Sequence, residues 1–458
     1  MTSSRTELHR AIGLRHATAM VVGTIIGASI FVQPSEVIGQ VPSMAGAALV
    51  WLTAGVLTMF GALVVAELAS SMPASGGVYV YLREQFGAWL GFLWGWAMFW
   101  VMHSGIIAAV AMVFASYAAF VVPLDDTSTR LVAVATILVL SAVNYRGVRH
   151  GSNLQAAFTL VKVAAIVLIV VVGLALGQPA AQDSSAGGAN IAGAPSGMAP
   201  QGYALLGGGS WSDFALAVSA ALFAFGGWHM VSYNAEETIE PQKTIPRALV
   251  WGVTIVTACY IALNGMYFYL LPLDTVIQSQ RIAADAADAV LGVRGGRAMT
   301  ALVLFSTFGA LSGIVLSGPR VYYAMARDGL LFRWAGEVHP RFRTPHRAII
   351  LQALWASTLV LTGTYRALFT RVVYTEWIFF GVMALGLVKL RTRAVQAPEY
   401  RLVGYPFTPL AFALAAFTIV VNHIVNDAAG SLSGLGIVLA GLPVYVVWTT
   451  LSSSARAT

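Results

Sequence analysis

The chain is poor in charge and nearly devoid of cysteine. Asp, Glu, Lys and Arg make up 10% of its 458 residues, against roughly 25% in an ordinary soluble domain. That shortage excludes a surface solvated mainly by water. The single cysteine, Cys259, lies inside an apolar run, so no disulfide framework or cysteine metal cluster is available. Paired catalytic carboxylates, a His-rich metal motif and a Ser/His arrangement are also missing from the neighbourhood of the Gly-rich segments described below. No enzyme, metal or cofactor is therefore expected. A formal charge of +7 would point to nucleic acid in a soluble protein. Here the basic residues fall in short segments between apolar runs, so no nucleic-acid partner is expected. The N-terminal MTSSRTELHRAIGLRH lacks the charged, apolar, small-residue progression of a cleaved signal, and the first apolar run is expected to stay in the protein.

What is abundant is apolar: 58% of the residues are hydrophobic. They come in runs of about 18 to 25, the length a helix needs to cross roughly 30 Å of hydrocarbon. The lipid bilayer is thus the expected partner of most of the surface. Run lengths and flanking breakers predict an all-α polytopic membrane protein of about twelve helices, near 15–40, 46–71, 88–122, 130–146, 152–177, 213–239, 247–271, 298–326, 346–364, 372–391, 406–424 and 434–452. An even number places both termini on one side. Arg130, Arg281, Arg294, Arg297, Arg366 and Arg371 fall in one alternating set of connections. A set several times larger, including Arg83, Arg146, Lys243, Arg327, Arg341, Arg343, Arg347, Lys389 and Arg391, falls in the other. The positive-inside bias predicts a multi-pass protein of the cell membrane with cytoplasmic N- and C-termini. The connection 178–212 has no Lys or Arg and is rich in Gly, Ala and Ser, which reads as a flexible extracellular linker.

Two of the predicted helices are interrupted. The first contains Gly23, Thr24, Ile25, Ile26, Gly27, Ala28, Ser29, Ile30 and Phe31, with Pro34 soon after; the sixth contains Phe223, Ala224, Phe225, Gly226, Gly227 and Trp228. Close packing through small residues accounts for a single Gly-x-x-x-Gly such as Gly23 with Gly27. Breaks at matched positions five helices apart instead predict inverted repeats around a midplane site. The expected units are an N-terminal segment 1–14, a first five-helix repeat 15–177, the linker 178–212, a second repeat 213–391, and two peripheral helices with the C-terminus over 392–458. Unwinding a helix in hydrocarbon strands polar backbone groups at several kcal/mol each unless something satisfies them. Amides at the start of a half-helix suit a carboxylate, and freed carbonyls suit an ammonium. A zwitterionic α-amino acid meets both needs.

The segments GTIIGASIFVQPSEV, GALVVAELASSMPASGGVYVYLREQFG, FTLVKVAAIVLIVVVG, ALFAFGGWHMVSYNAEETIEPQKTIPRAL and SGPRVYYAMARDGLLF occur in that order. Together they resemble the amino acid, polyamine and organocation superfamily, in its L-amino acid transporter branch, over nearly the whole chain. The resemblance implies the LeuT-type fold, a five-plus-five inverted repeat followed by two peripheral helices. It further implies that the amides of Gly27, Ala28 and Ser29 receive the substrate carboxylate, and that the carbonyls of Ile25, Phe223 and Gly226, beside Gly227, receive its amine. Phe223 matches the aromatic that closes over substrate from outside. Ser29 stands where the family usually has Gly, which bears on substrate size.

Ionisable residues at membrane depth are costly and therefore functional by default. Lys162 lies about ten residues into the fifth helix, or roughly 15 Å. It reads either as a side chain snorkelling to the interface or, as the resemblance implies, as a cation substitute near the first break and the eighth helix, with Ser306 and Ser312 as neighbours. His229 follows the second break and suits either substrate or an unwound carbonyl. His103 suits a structural bond to one carbonyl. Glu236 and Glu237 close the sixth helix beside the basic segments, where ion pairs forming an inner gate are expected. The expected function is sodium-independent transport of neutral L-amino acids by alternating access, with exchange and proton symport both open and no obligatory partner subunit implied. A non-transporting amino acid receptor and a polyamine or organocation transporter are the alternatives; neither break supplies an acidic residue for a polyamine.

Overall fold

The computed structural model describes residues 8, 10–27, 29–180, 209–279, 281–363, 365–392 and 398–457; most of the expected 178–212 linker, and Ala28, lie outside the described residues. The described chain is helical with no strand in it. In order, its helices are α1 (Leu14–Ile25), α2 (Gln33–Gln40), α3 (Met44–Ser71), α4 (Val78–Phe86), α5 (Ala88–Ala97), α6 (His103–Ala119), α7 (Asp126–Tyr145), α8 (Val148–Leu176), α9 (Trp211–Ala224), α10 (Pro241–Leu270), α11 (Leu273–Gln278), α12 (Ile282–Leu291), α13 (Val293–Ser317), α14 (Pro319–Arg327), α15 (His346–Thr362), α16 (Tyr365–Thr392), α17 (Phe407–Asn426), α18 (Ala428–Leu439) and α19 (Gly441–Ala457). Among the described residues, 10 spans are long and apolar enough to cross a membrane. The predicted helices 346–364 and 372–391 are present as α15 and α16, the second beginning at Tyr365 rather than 372.

Local chemistry sets the helix starts. The Ser43 hydroxyl accepts the Gly46 N–H at 2.9 Å, and Ser210 and Asp213 form a reciprocal capping box at the head of α9. Pro241 opens α10 at a position where its missing N–H costs nothing. Four features escaped the sequence reading. The third crossing is α5 joined to α6 through a π-helical turn, Met98–Met102. The short helices α4, α11 and α12 lie in connections that the hydropathy pattern leaves blank, being too short to register as spans.

Crossings five apart along the chain pack on each other. The first break packs on the turn after α9, α3 on α10, α6 on α13, and α7 on α15. Connections on alternating sides also meet. At one end Tyr79 and Arg83 both reach Asp328, Arg327 pairs with Glu236, and Arg391 pairs with Glu67. At the other, the Arg281 guanidinium lies over Phe120 and Arg130 donates to the Leu361 carbonyl. The first group gathers residues that the alternation assigns to the basic side, and we call it the basic end.

Candidate functional site

The first break begins where α1 stops. The Ile26 N–H closes the last α-helical bond, to Val22 O at 2.8 Å, and the chain resumes as the 3-10 turn Ser29–Phe31. Two side chains from other helices take the carbonyls that this leaves. The Lys162 ammonium on α8 donates to Gly23 O at 2.9 Å and Ile26 O at 2.8 Å, and the side chain is 1% exposed. The Tyr260 hydroxyl on α10 lies 3.0 Å from Ile25 O and 2.8 Å from Ala224 O, one carbonyl from each broken helix. Its single proton is shared between the two breaks. Gly23 is needed for close approach: a Cβ there would run into the side chains of Thr159 and Gln155 on α8.

The second break closes on itself. The Gly226 N–H donates to Phe223 O at 2.9 Å, Phe225 N–H to Ala221 O at 3.2 Å, and Met230 N–H to Gly227 O at 3.1 Å. Gly227 has φ of 97°, a left-handed conformation that a side chain would strain. The chain continues as a 3-10 helix, Trp228–Glu237. The Thr24 hydroxyl, which donates to Met20 O at 2.6 Å within its own helix, approaches Gly227 O of the second break at 3.3 Å.

Between the breaks lies a small cavity of about 40 Å³, lined by Ile25, Gly27, Ser29, Phe223, Gly226, Gly227 and Met230, with Ile106, Val110, Ala310, Ile314, Glu376 and Trp377 from neighbouring helices. At roughly 10–15 Å³ per probe-sized water, it holds about three waters. The structure thus brings Ile25, Gly27, Ser29, Phe223, Gly226 and Gly227 together. Ala28 lies outside the described residues.

His229 is not at the cavity. Gly227 and Met230 line it, and three residues complete a 3-10 turn, so His229 faces away. It packs against Phe380, Trp228 and Tyr233 at centroid distances of 4.8, 5.3 and 5.4 Å, with neither ring nitrogen hydrogen-bonded among the described residues. Ser306 and Ser312 are buried, and their hydroxyls make no hydrogen bond among the described residues. The residue of α13 that meets the first break is Ala310, whose Cβ would stand 3.3 Å from a Cβ on Gly27. His103 reaches Ile314 O at 2.8 Å.

Towards the basic end, Glu237 receives two bonds from Arg320, both at 3.0 Å, with both side chains fully buried. Glu236 pairs with Arg327 at 3.4 Å and lines a vestibule of about 1160 Å³. The segment before α1 docks there as well, the Ala11 and Ile12 N–H groups donating to Glu237 O at 2.9 and 3.0 Å. Sequence reasoning missed Tyr260, Arg320 and Glu376. The last corrects the expectation of a site without an acidic side chain: the breaks contain none, but α16 brings one to the cavity.

Two helices broken at one level around a shared cavity, with their freed carbonyls held by side chains from other helices, define the broken-helix class of polytopic membrane proteins. The amino acid permease family profile matches residues 12–448. The chain is 31% identical over 442 residues to the serine/threonine exchanger SteT of Bacillus subtilis, covering 96% of each. It is 32% identical over 393 residues to human b(0,+)-type amino acid transporter 1, covering 84% of this chain and 77% of that one. With mouse large neutral amino acids transporter small subunit 2 it shares 30% identity over 447 residues, or 96% of this chain and 81% of the relative. The chain belongs to the amino acid permease family, within the amino acid, polyamine and organocation superfamily.

Proposed function

We propose that this protein exchanges small neutral L-amino acids across the cell membrane by alternating access, without sodium. The observation that carries the reading is the meeting of both breaks at one cavity, with Gly27 and Ser29 on one wall and Phe223 and Gly226 on the other. Backbone amides of the first break receive the carboxylate and carbonyls of both breaks the amine, which gives recognition of the α-amino acid core without a side chain of its own. Lys162 supplies the fixed positive charge at Gly23 O and Ile26 O that a bound cation would otherwise supply. The repeats 15–177 and 213–391 are the parts that move. The Glu237–Arg320 and Glu236–Arg327 pairs close the basic end, which faces the cytoplasm with both termini.

Relatedness to a serine/threonine exchanger favours exchange as the mode. The mouse relative is named a small subunit; in the present reading this chain works alone. Purified protein in sealed liposomes tests both points. Uptake of labelled L-serine is expected to rise several-fold when unlabelled L-serine is trapped inside, with no second protein present. Equal uptake into empty and loaded vesicles would exclude exchange, and absence of any uptake would reject self-sufficient transport. For orientation, a cysteine at Arg343 is expected to stay unmodified by an impermeant thiol reagent applied outside intact cells.

A further inference from the structure

Helix α17, FTPLAFALAAFTIVVNHIVN, is largely apolar, and its Leu414, Val421 and Val425 are exposed where lipid would cover them. Its nitrogen-bearing side chains, Asn422, His423 and Asn426, collect at its far end, and each bonds to α9, the half-helix that stops at the second break. The Ser212 hydroxyl donates to Asn422 Oδ1 at 2.9 Å. The amides of Asn422 and Asn426 donate back to the Ser212 carbonyl at 3.2 Å and its hydroxyl at 3.0 Å. Seven residues deeper in α9, the Ser219 hydroxyl and His423 Nε2 stand 2.7 Å apart, with both residues buried. Helical side chains lean towards the N-terminus of their own helix, which lets His423 reach down from the end of α17. Polar side chains are costly to place inside a bilayer, so a ladder of them between two helices calls for a reason. Ser219 stands four residues before Phe223 on the same face of α9, and Phe223 lines the cavity between the breaks. Because α9 is only 14 residues long and ends at the break, its tilt is set by whatever holds its flank.

We infer that Ser219 and His423, with Ser212 and Asn422 above them, position α9 so that Phe223 seats over the cavity. Helix α17, expected from the sequence to be peripheral, is thereby a working part of the gate opposite the basic end. The inference rests on the transport reading, in which Phe223 closes over substrate. None of the four side chains lines the cavity, so they act through Phe223 as positioning residues. The ladder is made with Phe223 in place, and it favours that position over any in which α9 tilts away from α17. A side-chain bond between transmembrane helices shifts such an equilibrium about three- to tenfold.

The test reads how often the cavity opens away from the basic end. In a Cys259→Ala background, Val110→Cys places a single thiol on the cavity wall, and an impermeant thiol reagent is applied outside intact cells. Ser219→Ala and His423→Leu are each expected to raise the labelling rate about three- to tenfold. The double variant is expected to go no further than the larger single one, because both changes delete the same bond. His423→Gln, which keeps a hydrogen-bonding group in reach of Ser219, is expected to stay within about twofold of its parent. Ser212→Ala, at the upper rung, is expected to act in the same direction as Ser219→Ala and more weakly. Unchanged labelling in Ser219→Ala, or effects that multiply in the double variant, would overturn the positioning role. Exchange of labelled L-serine by the wild type in proteoliposomes is measured alongside. Its absence would count against the transport reading, while the labelling still decides whether Ser219 and His423 hold α9.

Discussion

The two breaks solve one problem in opposite ways. Both end an α-helix in the middle of the bundle and so free carbonyls that hydrocarbon cannot satisfy. After α9, the chain mostly satisfies itself: Gly227 turns left-handed, and bonds between residues three and four apart close over Ala221, Phe223 and Gly227, with Ala224 O left to the Tyr260 hydroxyl. After α1, the carbonyls of Gly23, Ile25 and Ile26 are held by Lys162 and Tyr260, from α8 and α10. Apart from the Tyr260 bond to Ala224 O, the bonds of the second break travel with it. Those of the first belong to other helices, so motion of α1 against α8 makes or breaks them. The lesson is that the carbonyls of the first break depend on a few side chains from other helices.

The comparison is broken most severely at Lys162. Lys162→Ala removes two charge-assisted bonds, each of about 1.5–3 kcal/mol, without adding bulk. The variant is expected to remain monodisperse and helical by circular dichroism while serine exchange falls about a hundredfold. Normal exchange would make Lys162 a residue of packing alone. Next in size is Tyr260→Phe, which deletes the hydroxyl shared by Ile25 O and Ala224 O and keeps the ring. Exchange is expected to drop about tenfold with a small change in melting temperature, since a neutral hydrogen bond contributes about 1 kcal/mol. The self-closed break should answer to backbone strain. Gly227→Ala places a side chain at φ of 97° and 3.3 Å from the Thr24 Cβ, so a stability loss of about 1–2 kcal/mol is expected, read as a lowered melting temperature. Smallest is Ser29→Gly, which enlarges the cavity wall and is expected to admit larger neutral amino acids at a few-fold better relative rate, measured by competition.

The breaks were legible in the sequence because glycine pairs and a following proline interrupt otherwise long apolar runs, and the interruption recurs five helices on. Lys162 was legible because a lysine inside an apolar helix is costly wherever its partner lies. Tyr260 was not: it sits in an unremarkable apolar run, and its role depends on which helix packs beside both breaks. Glu376 was missed for a simpler reason. The tenth helix was begun at 372, leaving the carboxylate near a helix end where water would reach it. The helix begins at Tyr365, which sets Glu376 about three turns deep. His229 was singled out because it directly follows the second break; the chain there is a 3-10 helix and turns it into an aromatic cluster.

The central claim, that a fixed ammonium stands where a cation would otherwise be required, is tested most directly by sodium. Exchange of labelled L-serine in proteoliposomes should proceed at the same rate in sodium and in an equal concentration of choline, on both sides of the membrane, because Lys162 already occupies the carbonyls of Gly23 and Ile26. Exchange that required sodium, or rose in proportion to it, would contradict the account.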